Sequence, residues 1–74
     1  MSGIYYHDAG RGEYHRITHA DRPRSWQVEL RLDPTSGQPR TWTGFLPTLR
    51  AARAVLQDLA PDAVLLPGLP AWMR

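Results

Sequence analysis

The chain contains no cysteine, which excludes disulfide stapling, thiol catalysis and thiolate metal sites and is compatible with a reducing cytoplasm. It contains no lysine either: all nine basic residues are arginine, set against seven acidic ones for a net charge of +2. Arginine presents a planar fork suited to phosphate, carboxylate or guanine, so the bias fits an anion-binding surface. It equally fits the coding habit of a GC-rich bacterial or phage genome. No apolar run approaches the roughly 20 residues of a membrane-spanning helix. The opening MSGIYYHDAGRG lacks the charged start and apolar stretch of an export signal. The expectation is a soluble cytoplasmic protein without a membrane partner.

A chain of 74 residues has room for one small domain with a modest core. The strongest pattern runs from Ser25 to Leu32, where Trp26, Val28, Leu30 and Leu32 alternate with Gln27, Glu29 and Arg31. That period of two predicts a strand with one buried and one wet face. A second strand is predicted over Arg40 to Leu46, with Arg40 and Trp42 on the face opposite Thr41, Thr43 and Phe45. DPTSGQP, residues 33–39, carries two prolines and Gly37 and joins the two. Upstream, Ile4–His7 and Glu13–His19 flank the glycine-bearing turn DAGRG and read as a hairpin. Downstream, Leu49, Ala52, Val55, Leu56 and Leu59 mark the inner face of a helix, with Thr48 as its N-cap and Pro61 ending it. The predicted fold is α+β: an antiparallel meander of three or four strands packed on one helix over residues 1–61. An apolar, proline-punctuated tail over residues 62–74 would cover the core or add a short strand.

Function is read from what the core does not need. The wet side of the meander gathers Arg31, Arg40 and Trp42. The tyrosines Tyr5, Tyr6 and Tyr14 and the tail residues Leu69, Trp72 and Met73 supply large side chains of the kind that anchor protein interfaces. His15 and His19 share a strand face, but it is the face of Ile17, and spacing fixes no carboxylate beside them. No nucleophile–base pair, paired carboxylates, phosphate loop or zinc signature is present. The sequence therefore predicts neither an enzyme nor a metal or cofactor site.

The stretch Tyr14 to Ala54 resembles the apetala/ethylene-response-factor type of DNA-binding domain, a three-stranded sheet packed on one helix. The resemblance rests on Trp26, Val28-Glu29-Leu30-Arg31, Asp33-Pro34, Gly37, Arg40, Trp42, Gly44, Leu46, Thr48 and Ala51-Ala52-Arg53-Ala54. It implies that the outer sheet face lies in the major groove of double-stranded DNA. Arg31, Arg40 and Trp42 would touch bases and backbone, Glu29 would accept from a cytosine amino group, and Arg16, Arg22 and Arg24 would lie near phosphates. The first hairpin and the tail fall outside the family pattern. The alternative is a protein-interaction or inhibitory module working through the tyrosine-rich hairpin or the Leu-Pro-Trp tail, a second copy of the chain being one such partner.

Overall fold

The computed structural model describes residues 3–22, 24–69 and 72; Met73 lies outside them. Five strands and one helix follow in the order β1 (Gly3–Asp8), β2 (Glu13–His19), β3 (Trp26–Leu32), β4 (Pro39–Trp42), α1 (Leu49–Leu59) and β5 (Val64–Leu65). The sheet is antiparallel, ordered β4-β3-β2-β1-β5. The predicted meander is therefore present, and the start of the tail extends it by a fifth strand on the free side of β1.

Short connections impose this order. Gly12 (φ +66°) closes the β1–β2 turn and Gly37 (φ +73°) the β3–β4 turn, both in the left-handed region where a Cβ is costly. Asp33 folds the second turn over itself. Its carboxylate accepts from the Thr35 N–H at 2.7 Å, and its carbonyl accepts from the Gly37 N–H at 2.6 Å. The Thr35 hydrogen bond holds the Asp33 carboxyl below its ordinary 3.8.

Helix α1 begins where the Thr48 hydroxyl accepts from the Ala51 N–H at 3.0 Å, supplying one of the donors that a helix start leaves unpaired. It lies chiefly on β3. Ile17, Val28 and Ala52 are fully buried between the layers, joined by Leu56 and Ala60. Ala52 and Ala60 lack bulk, which brings the helix close to the two branched side chains. Ile4, Tyr6, Trp26, Leu30, Leu46, Leu49, Val55 and Ala63 complete the cluster. Leu59, read as an inward position, is 54 % exposed; the chain leaves the helix at Ala60, whose smaller side chain takes the inward place.

Two irregularities break the simple alternation. Thr43 pairs with Val28, its N–H donating to the Val28 carbonyl and its hydroxyl accepting from the Val28 N–H. Leu46 pairs with Trp26, so Gly44 and Phe45 both stand opposite Gln27. That extra residue is a bulge, and it ends β4 at Trp42 rather than Leu46. The second lies at Arg31, whose φ of +53° is unusual for a side chain with a Cβ.

Candidate nucleic-acid interface

On the sheet face turned away from the helix, the register sets Tyr5, Arg16, Glu29 and Trp42 in one row across β1, β2, β3 and β4. The inner part of that row is closed. Arg16 grips Glu29 with two bonds, Nε at 2.8 Å and Nη2 at 2.7 Å. The Thr18 hydroxyl donates to the same carboxylate, and Arg16 Nη1 donates to the Tyr5 hydroxyl at 3.4 Å. Gly3 permits this arrangement: a Cβ there would stand 3.0 Å from Arg16 Cδ. Burial pushes the Glu29 carboxyl upward, but the bonds from Arg16 and Thr18, with the arginine charge, outweigh it and hold the group below its ordinary 4.5. The hydrogen bond to Glu29 raises Arg16 in turn, against a smaller opposing effect of burial.

This corrects two sequence expectations. Glu29 is 7 % exposed and its oxygens are engaged within the chain, so it is not free to accept from a cytosine. Arg16 is spent on Glu29 rather than held out to phosphate. Both stand on the anticipated face. What the sequence concealed is that they meet, because the contact depends on a register between residues 13 apart.

The outer part of the row is open. Trp42 is 58 % and Phe45 63 % exposed, in edge contact with ring centroids 6.4 Å apart. Phe45 was expected opposite Trp42; the bulge at Gly44–Phe45 reverses the alternation and brings it to the same margin. Arg40, two residues before Trp42, and Arg31 are exposed and line one hollow with Gly12, Glu13, Leu32 and Pro34. Among the described residues neither guanidinium has a carboxylate within salt-bridge distance. Arg22 and Arg24 are exposed in the β2–β3 loop at the other end of β3, about 20 Å away by strand rise. Arg31 and Arg40, expected together, share one hollow at one end of β3, and Arg22 and Arg24 lie at the other, with the neutralised Arg16–Glu29 pair between them.

The tyrosines expected as interface anchors are largely consumed by the fold. Tyr5 is 8 % exposed and Tyr6 packs on the core. Tyr14 is stacked on His7 at 4.3 Å and meets the Trp72 ring edge-on at 5.5 Å, so the tail reaches the wet side of β2. Leu69 remains 48 % exposed. No group of three potential metal ligands and no helix long and apolar enough to cross a membrane occurs among the described residues.

Comparison with family models, with curated proteins and with solved structures finds no match to this chain. Its class is that of a small α+β domain, a five-stranded antiparallel sheet backed by one helix, with an arginine and aromatic margin along β4.

Proposed function

We propose that this protein binds double-stranded DNA, laying the β3–β4 margin of its sheet in the major groove. The observation that carries the reading is the exposure of Trp42 and Phe45 along the same β3–β4 margin as Arg31 and Arg40, two exposed arginines with no carboxylate within salt-bridge distance among the described residues. A domain this small gains by burying large aromatics, and here two are left in water. The major groove admits a two-stranded ribbon, guanidinium forks match the guanine acceptors, and apolar ring edges suit thymine methyls. Arg22 and Arg24 supply backbone contacts at the far end of β3. The resemblance of Tyr14–Ala54 to a sheet-based DNA-binding family supports the same face.

Four arginines contacting phosphate or adjacent groups give a slope of about −3 to −4 in log affinity against log salt. Affinity for a labelled mixed-sequence duplex therefore falls roughly 100-fold between 50 and 200 mM salt. In fluorescence anisotropy, the folded triple variant Arg31→Ala, Arg40→Ala, Trp42→Ala binds more weakly and loses about two units of that slope. Unchanged affinity in that variant refutes the surface.

A second reading, a protein interface on the opposite edge, is favoured by one observation. Val64 and Leu65 in β5 are 67 % and 54 % exposed. The Leu66 N–H bonds the Tyr5 carbonyl, so the alternation of an antiparallel ladder turns the backbone groups of Leu65 to the open side. A second copy or another strand-bearing protein could pair there. Analytical ultracentrifugation of wild type and Leu65→Arg tests it: association that the variant abolishes supports the edge, and a monomer at high concentration removes the homodimer form of the reading.

A further inference from the structure

The regular β2–β3 pairing ends at Arg16–Glu29. One step further along, a side chain continues the ladder: the Arg31 N–H donates to His15 Nδ1 at 3.0 Å. The imidazole thus stands in for a backbone carbonyl of β2, at the residue where β3 takes its left-handed turn, φ +53°. An Nδ1 that accepts carries no proton, so His15 is the neutral tautomer protonated at Nε2, and Nε2 has no partner among the described residues. Adding a proton changes Nδ1 alone, turning the acceptor of the Arg31 N–H into a donor facing a donor.

We propose that His15 is a proton-operated latch on the Arg31 bend: neutral, it holds the left-handed turn at the end of β3, and protonated, it lets that turn go while the rest of the sheet stays paired. His15 is only 2 % exposed, yet the residue lies in the wall of a cleft of about 220 Å³. A proton therefore has a route that needs no global unfolding. Charged groups surround the imidazole from each side: Asp8 and His7 on β1, Arg11 in the β1–β2 turn, Glu13 on β2, Arg31 on β3 and Asp62 beyond the helix. Helix α1 contributes only Leu59 to that lining, followed by Ala60 and Pro61. Burial opposes the proton most strongly and Arg31 and His7 add to it, while Glu13 and Asp8 favour it; the balance places His15 below its ordinary 6.5.

The latch releases in mildly acid solution, and its action on Arg31 is independent of whether the wet face binds DNA. If the face does bind, release alters how one of its arginines is presented.

Amide and imidazole NMR signals followed downward from pH 7.5 test the latch. His15 is expected to titrate below 6.5, the Arg31 amide to lose exchange protection with the same midpoint, and the amides of Ile17 and Val28 to keep theirs. His15→Gln provides a non-titrating acceptor, and its Arg31 amide is expected to stay protected through the same range. If that variant does not fold, the wild-type comparison of Arg31 with Ile17 and Val28 decides alone. Titration of His15 with the Arg31 amide unmoved overturns the proposal. So does joint loss of all three amides at one midpoint, and so does an unchanged transition in His15→Gln.

Discussion

Arg31 holds a backbone conformation that glycine adopts without cost and that side chains with a Cβ resist. Replacing it separates stability from binding: Arg31→Gly is expected to raise stability by about 0.5–1 kcal/mol in urea titration while weakening duplex binding. A variant that loses both would show that the side chain holds the fold. Glu29 makes the opposite case. Glu29→Ala leaves Arg16 unpaired in a partly buried site and is expected to cost about 3 kcal/mol. Because the carboxyl titrates lower in the folded chain than its ordinary 4.5, the unfolded chain takes up the proton first. Its contribution is thus complete above pH 4.5 and is lost as pH falls through the folded value. His15, also lowered from 6.5, follows the same sign at a higher window: stability declines as pH drops below 6.5 and levels off once the folded imidazole is protonated. Thermal melts from pH 7.5 to 3 should show two successive losses, the first absent in His15→Gln and the second reduced in Glu29→Ala, where Asp33, also lowered from its ordinary 3.8, still contributes. Period-two alternation placed Glu29 on the same face as Trp42 correctly, whereas the left-handed turn at Arg31 breaks the alternation there. It carried no information on cross-strand register, so neither the Glu29–Arg16 pair nor the His15–Arg31 bond was legible.

Helix α1 was the most legible element, since its stripe of apolar residues, its capping threonine and the closing proline are all local signals. Thr48→Ala removes the hydroxyl that accepts from Ala51 and is expected to cost about 1 kcal/mol, measured by urea titration. The strands β2 and β3 were equally plain from alternation. β4 was read too long because a bulge needs a partner strand to define it: Gly44 and Phe45 follow the alternating pattern in sequence and depart from it only against Gln27. That same bulge delivers Phe45 to the candidate surface, so the best-exposed aromatic of the site was assigned to the wrong side. β5 is two residues long and follows a helix, where no periodicity can develop; only its apolar character marked it.

For the molecule as a whole, two fully buried branched side chains, Ile17 and Val28, join sheet to helix. Ile17→Ala is expected to cost about 3 kcal/mol. At roughly 0.05–0.15 kcal/mol of stability per residue, that removes a large part of what holds a 74-residue chain together. The α+β architecture followed from short links and two periodicities. The distribution of charge over the finished surface did not, because pairing Arg16 with Glu29 neutralises the middle of the face and leaves its free cations at the ends of β3. The most direct test of the DNA reading is amide and indole NMR mapping with a mixed-sequence duplex at low salt. Shifts are expected at Arg31, Arg40, Phe45 and the Trp42 indole, smaller ones at Arg22 and Arg24, and none at Arg16 Nε–H or along β5. Shifts confined to β5 and Leu69, or no shifts at all, would contradict it.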